Sequence, residues 1–254
     1  MATIVKELKG HSGSKVFLMS GTKGLFIRKE SNVLRNKERL QTLRGILPVP
    51  DILQYEDGVL EMEYIHGQDM INYLQYNSPQ PLLEFLGNTL NSIRNENNVD
   101  KDYTSVYNEQ LYWLLSNKDL PFSKEELIKA LPKSLPKTKH YHGDLTLENI
   151  IRRSDGKFFL IDPVTVPYDS WVFDLAKLRQ DVDSKWFLRN SKARLDAKLK
   201  IIDDYVCKEM SQFISIDSLS ILMLLRVLRH CEPGDSNYLY LISNINRLWT
   251  NICK

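Results

Sequence analysis

Residues 142–149 read His-Gly-Asp-Leu-Thr-Leu-Glu-Asn, and after two apolar residues and a turn, residues 158–162 read Phe-Phe-Leu-Ile-Asp. Asp144 and Asn149 stand five residues apart across a loop. Asp155-Gly156 turns the chain back, so that an apolar strand delivers Asp162 to the same place. Three oxygen-bearing side chains that converge in this way suit Mg²⁺, a hard cation that takes carboxylate, carbonyl and phosphate oxygens. Phosphoryl transfer calls for one carboxylate to receive a hydroxyl proton and two oxygen ligands for metal on the phosphates. A lone His-Gly-Asp could be a turn whose aspartate binds local backbone N–H groups. The hairpin that follows, with Asn149 and Asp162 in register, goes beyond that.

Upstream of this stretch the chain changes character once. Residues 4–8, 16–19 and 25–28 read as short strands, with a small-residue turn at 10–14 and a hairpin loop at 21–24. Residues 31–43 switch to helical spacing, with Val33, Leu34, Leu40 and Leu43 on related faces, and Gly45 sits where that helix should end. Pro48 and Pro50 precede two more strands, 52–55 and 59–63. From 65–67 to about 129 helical periodicity dominates, interrupted at 77–81 and 95–103. Strands return at 150–152 and 157–161, and residues 171–252 read as helices with a break at 232–234. The expected architecture is α+β and bilobal. A small, mainly β N-terminal lobe spans 1–66, and a larger helical C-terminal lobe spans 67–254.

Composition removes several function classes. The 254 residues carry 34 Lys+Arg against 32 Asp+Glu, a formal charge of +2, with 43% hydrophobic and 10% aromatic residues. That much burial capacity argues against disorder. Basic clusters at 35–44 and 189–200 are mixed with acidic or apolar positions, as solvated helix faces are, so no nucleic-acid partner is expected. Cys207, Cys231 and Cys253 have neither metal-ligand spacing nor a disulfide pattern. The first residues lack an apolar signal core, and the longest apolar run, 221–225, is too short to span a bilayer. A cytoplasmic protein without a membrane span is the expectation.

His-Gly-Asp-x-x-x-x-Asn followed by an apolar strand ending in Asp resembles the catalytic loop and metal-binding aspartate of kinase-fold small-molecule phosphotransferases, the aminoglycoside phosphotransferase and choline kinase group. Gly143 stands where protein kinases have Arg, and Asp162-Pro163 stands where they have Asp-Phe. The resemblance implies a protein-kinase-like fold that uses ATP and Mg²⁺. It assigns Asp144 as catalytic base, Asn149 and Asp162 as Mg²⁺ ligands, and His142 as the residue that orients the loop. Asp174, in Asp-Leu-Ala, resembles a supporting position, expected both to cap its helix and to brace the loop.

On the nucleotide side the same resemblance implies a phosphate-covering turn containing Gly10, Ser12, Gly13 and Ser14, although the full glycine pattern is missing. On the third strand, alternation lets only one of Arg28 and Lys29 face the phosphates. Lys29 would put Ile27 over the adenine, and Arg28 the bulkier Phe26. The first resembles the family's apolar-x-Lys pattern, so Lys29 is the expected residue, with Arg28 the alternative. Glu38 is the expected helix carboxylate for Lys29. Glu63 and Ile65 lie at the hinge, whose backbone would meet the adenine edge, and Ile161 precedes Asp162 in the same set.

Only residues 163–173 separate Asp162 from Asp174, and no Ala-Pro-Glu follows nearby, which leaves little chain for docking a peptide. The expected acceptor is the hydroxyl of a small molecule, a sugar or related polyol ahead of an amino-alcohol such as choline. Trp171, Tyr168, Trp186, Asp181 and Asp183 are candidates for its walls, while Trp113 and Trp249 read as core. A catalytically idle ATP-binding scaffold is the competing class, and the intact Asp144, Asn149 and Asp162 set argues against it.

Overall fold

The computed structural model describes residues 2–8, 15–22, 24–31, 33–94, 99–116, 119–213 and 215–254. Strands β1 (Thr3–Leu8), β2 (Lys15–Gly21) and β3 (Gly24–Glu30) run consecutively antiparallel. Helix α1 (Leu34–Leu43) then carries the chain across to β4 (Ile52–Glu56), and β5 (Val59–Glu63) inserts between β4 and β3. The sheet order is therefore β1-β2-β3-β5-β4.

Register decides which β3 side chains face inward. Ile27 pairs with Met62 and Lys29 with Leu60, so these four share one face. On that face Val33, Leu40, Leu60 and Met62 form a small core, with Ile27 packed against it. Arg28 turns to the other face, where its guanidinium meets Glu30 at 3.0 Å and Glu61 at 3.8 Å. Helix α1 buries Asn36, Arg39, Leu40 and Leu43, positions spaced for one helical stripe. Leu34, which the sequence suggested for that stripe, is 51% exposed.

A second sheet begins with β6 (Gly67–Asp69), which pairs with β9 (Ile150–Arg153), itself paired with β10 (Phe158–Leu160). Around it lie α2 (Met70–Tyr76), α3 (Gln80–Arg94), α4 (Thr104–Gln110), α5 (Lys124–Ala130), α6 (Trp171–Asp183), α7 (Asp196–Glu209), α8 (Ile216–Leu228) and α9 (Ser236–Ile252). A further hairpin joins β7 (Val99–Asp102) to β8 (Ser134–Lys137). The chain is thus α+β, with a β-sheet N-terminal region and a helical C-terminal region.

Strands β6, β7 and β8 are absent from the sequence expectation. Val-Asp-Lys-Asp in β7 offers no apolar alternation, and β8 contains Pro136, so neither reads as a strand alone. Their pairing is set by non-local contacts, including the bond from Tyr103 N–H to the Lys133 carbonyl at 2.8 Å.

Helix α6 occupies the centre of the helical region, and every residue from Trp171 to Val182 is buried. A helix buried all round is normally apolar, yet this one carries Asp174, Lys177, Arg179 and Asp181. Arg179 spans to both neighbours, Asp217 of α8 at 2.7 Å and Asp203 of α7 at 3.3 Å. All three cysteines are free thiols. Among the described residues no helix is long and apolar enough to cross a membrane.

The β6–β9 pairing allows no side chain at Gly67, where a Cβ would lie 2.3 Å from the Arg152 carbonyl oxygen. Gly67→Ala should force these strands apart and destabilise the protein by roughly 1–3 kcal/mol, the usual cost of overpacking. Chemical denaturation would register it as a lowered midpoint with an unchanged slope.

Candidate active site

The loop before β9 is held by backbone hydrogen bonds to a buried carboxylate. Asp174 accepts from the His142 N–H at 2.5 Å and the Gly143 N–H at 2.7 Å. Burial pushes this carboxyl above its ordinary pKa, and His142 and the two N–H donors partly offset that rise. Asp174 does not cap α6, as the sequence had suggested. Ser170 caps it, its hydroxyl accepting from Val172 N–H at 3.3 Å, and Asp174 lies one turn further in, where it can reach the loop.

Gly143 has φ +86°, and a Cβ there would lie 2.0 Å from the Val164 carbonyl oxygen. Only glycine fits such a position. His142 is 1% exposed and fixes the hairpin to the loop. Its Nε2 lies 2.9 Å from the Ile161 carbonyl, and its Nδ1 accepts from the Asp144 N–H at 3.3 Å. The carbonyl can only accept, so Nε2 carries the proton in that contact.

These contacts hold Asp144, Asn149 and the end of the hairpin before Asp162 together. Asn149 donates through Nδ2 to the Asp144 carbonyl at 2.8 Å and more weakly to Asp144 Oδ2 at 3.4 Å. These bonds use the amide nitrogen of Asn149 and not its amide oxygen. Asp162 follows β10 with φ +57°, a left-handed conformation uncommon for a non-glycine residue. Its side chain is 49% exposed and its Oδ1 lies 2.5 Å from Lys29 Nζ.

Lys29 is buried and faces the cleft, as strand alternation predicts, and Arg28 faces away. Its partner is not Glu38. That residue is exposed on α1, and no ion pair joins it to Lys29. Asn36 holds the inward position instead, donating to Asp162 Oδ1 at 2.9 Å and to the Pro163 carbonyl at 2.8 Å. Two residues along a helix are about 200° apart, so Asn36 and Glu38 cannot share a face.

Glu63 ends β5, where its N–H donates to the Asp51 carbonyl at 2.8 Å and its carboxylate lies 3.7 Å from Arg153. Ile65 is buried just beyond it. The Ile161 N–H donates to the Asn149 carbonyl at 2.9 Å, which closes the hairpin on the loop. Gly10, Ser12, Gly13 and Ser14 lie outside the described residues.

Two buried α6 residues reach this centre: one that the sequence did not single out, and one that it offered only as an acceptor wall. Lys177, 6% exposed, places Nζ 3.5 Å from Asp144 Oδ1 and 3.1 Å from Gln180. Burial lowers the Lys177 pKa, while Asp144 pulls it back up. Burial also raises the Asp144 carboxyl, but Lys177, Arg226 and His142 outweigh it, so the net shift is downward and the carboxylate form is favoured. The signal was present in Asp174-Leu-Ala-Lys177, since residues three apart share a helix face. The second is Asp181. Its Oδ2 accepts from Leu147 N–H at 2.8 Å, and its Oδ1 is buried without a partner.

Several expected wall residues lie elsewhere. Trp171 packs beneath Arg94 and against Phe213, and Asp183 pairs with Arg247 at 2.5 Å. Trp186 stacks with Arg189 and Tyr240. Tyr168 is buried beside Phe173, with the Arg226 guanidinium 5.5 Å from its ring. Trp113 and Trp249 pack against the main core.

Asp174→Asn would present an amide N–H to a backbone N–H and forfeit one charge-assisted bond. It should cost about 2–4 kcal/mol, with activity falling alongside stability, both measurable on the purified variant. Burial pushes the Asp181 carboxyl up to about 7 from an ordinary 3.8. The folded state therefore holds this proton more tightly than the unfolded chain. Stability from this group is fully present below about pH 4 and is lost as pH rises towards 7. Asp181→Asn should stabilise the protein over the wild type at pH 8 by up to about 4 kcal/mol, read as a raised Tm, with the gain vanishing near pH 4.

Comparison with known proteins agrees with this geometry. Residues 9–204 match the family described as the phosphotransferase enzyme family, APH. None of the curated proteins matches the chain in sequence. A thermostable mutant of aminoglycoside phosphotransferase APH(4)-Ia, solved as a ternary complex with AMP-PNP and hygromycin B, superposes with a TM-score of 0.69 at 11% identity, covering 98% of this chain and 94% of that one. A candidate fructosamine-3-kinase from Thermobifida fusca gives 0.59 at 15% identity, covering 98% and 94%. Plasmodium vivax ethanolamine kinase gives 0.56 at 12% identity, covering 100% and 82%. At these identities the likeness is one of fold.

Proposed function

Because the chain belongs to the phosphotransferase enzyme family, we propose that its cleft transfers the γ-phosphoryl group of ATP to a hydroxyl of a small molecule, a sugar or related polyol. The observation that carries this reading is the hydrogen-bonded assembly of Asp144, Asn149 and the Ile161–Asp162 end of the hairpin, with Lys29 of β3 paired to Asp162. The solved relatives bear on it through what they contain, since the hygromycin complex holds a nucleotide analogue and a small acceptor together.

The donor set fits a magnesium ion. One carboxylate and one amide oxygen, completed by phosphate oxygens and water, is the usual company of that cation. Asn149 and Asp162 would hold such an ion, which would supply positive charge to offset that of the phosphates.

The remaining chemistry belongs to the chain. Lys29 contributes positive charge where the phosphates lie, and Glu63 and Ile65 offer the hinge backbone to the base. Asp144 orients the acceptor hydroxyl and takes its proton as that oxygen bonds to the γ-phosphorus. The bond from phosphorus to the bridging oxygen breaks, and ADP leaves. A depressed carboxyl pKa suits this role, because the base is ionised at neutral pH and its main task is positioning. Asn149 and His142 keep Asp144 in place through its carbonyl and N–H.

Mg²⁺-dependent ATP consumption across sugars, polyols, amino-alcohols and aminoglycosides tests the reading. Asp144→Asn should lower kcat by about a hundredfold to ten-thousandfold while nucleotide binding persists. Asp162→Ala should instead lose Mg²⁺-dependent nucleotide binding, read by calorimetry. Nucleotide binding without turnover on any acceptor, with Asp144→Asn indistinguishable from wild type, would favour an idle scaffold.

A further inference from the structure

Several cations of the helical region have carboxylate partners. Arg94 pairs with Glu209, Arg179 with Asp203 and Asp217, and Arg247 with Asp183. Three arginines beside the catalytic loop have none. Arg226 and Arg229 close α8 three residues apart, hence on neighbouring positions of one face. Arg226 Nη2 donates to the Gly143 carbonyl at 3.0 Å, which holds this guanidinium one residue from Asp144. Arg35 comes from α1. Its carbonyl accepts from Thr165 N–H and Oγ1, both at 3.3 Å, and so it sits against the segment linking Asp162 to α6.

Among the described residues none of the three lies within ion-pair distance of a carboxylate. Arg35 and Arg229 are exposed, and Arg226 is half-buried. They also repel one another: burial lowers the Arg229 pKa, and Arg226 and Arg35 lower it further. A helix C-terminus favours cations, which accounts for charge at the end of α8. It does not account for Arg35, which arrives from the other lobe.

We propose that Arg35, Arg226 and Arg229 receive an anionic group of the acceptor, so that the substrate is a polyol bearing a phosphate or carboxylate beside the hydroxyl to be phosphorylated. The inference rests on the phosphotransferase reading and narrows its acceptor. Guanidinium groups match phosphate and carboxylate oxygens in paired hydrogen bonds. Arg226, fixed on the Gly143 carbonyl, sets the anion one residue from Asp144, with Arg229 three residues further along the end of α8 and Arg35 on the side of Thr165. A cationic acceptor such as choline or an aminoglycoside meets repulsion at the same place.

The test uses the full chain saturated with Mg²⁺ and AMP-PNP, so that added anions do not compete for the nucleotide subsite. Modification of arginines by phenylglyoxal is followed residue by residue by mass spectrometry, with Arg44 as an exposed control. Inorganic phosphate, glucose 6-phosphate and gluconate are compared with glucose and choline. At several times their Kd the anions should slow modification of Arg35 and Arg229 about fivefold and leave Arg44 unchanged. The ranking of glucose 6-phosphate against gluconate separates a phosphate ester from a carboxylate. With an anionic acceptor that turns over, Arg229→Ala should raise KM about tenfold with kcat within about twofold. No protection by any anion, equal protection by glucose or choline, or equal protection of Arg44 would overturn the proposal. Failure of AMP-PNP to bind would instead remove the phosphotransferase reading, while arginine protection remained a separate result.

Discussion

A single buried carboxylate accepting two successive backbone N–H groups governs the geometry of this protein. Asp174 binds His142 and Gly143, and everything that the catalytic loop presents is placed by that attachment. Gly143 can then adopt its left-handed turn under the Val164 carbonyl, His142 can reach the Ile161 carbonyl, and Asp144 emerges into the cleft. The same bonds tie the loop to the strand that ends at Asp162. Asp144, Asn149 and the end of the hairpin before Asp162 thus belong to one hydrogen-bonded unit, with helix α6 as its support.

Charge is balanced across this unit in pairs. Lys29 meets Asp162, Lys177 meets Asp144, and Arg179 meets two aspartates. Each pair has one well-buried cation and, for the first two, a carboxylate that stays partly exposed. For Lys177 burial weakens the charge and Asp144 opposite restores it, while Asp144 in turn is held in its carboxylate form. Asp181 is the exception, a buried carboxyl with one oxygen unpartnered and its pKa displaced upward.

Much of this was legible in the sequence for reasons that can be stated. His142, Gly143, Asp144, Asn149 and Asp162 could be singled out by residue type and local spacing, and a loop followed by a hairpin brings these segments together with little help from distant chain. Period-two alternation turned one of Arg28 and Lys29 inward, and the family's apolar-x-Lys pattern chose Lys29, the one that is buried. Glu38 failed because a helix carboxylate was sought by type, whereas the buried stripe at Asn36, Arg39, Leu40 and Leu43 fixes the phase and excludes position 38. The aromatic wall was misread for a related reason. Trp171 and Trp186 sit near Asp174 in sequence, but helical rotation sends them into packing with Arg94 and Arg189. Lys177 and Arg226 were missed because each meets the loop through tertiary contact, which spacing within one helix only hints at. Strands β7 and β8 were missed because their partners lie more than thirty residues apart.

The complete burial of α6 has a consequence for how such a protein can change. Its polar residues face the loop, α7 and α8 at once, so few substitutions along it are free of a cost to both folding and chemistry. New acceptor preferences must therefore arise on the surrounding parts, such as the end of α8, the exposed side of α1 and the segment before α6. The helix works as a keel: chemistry is conserved along it, and recognition diversifies around it.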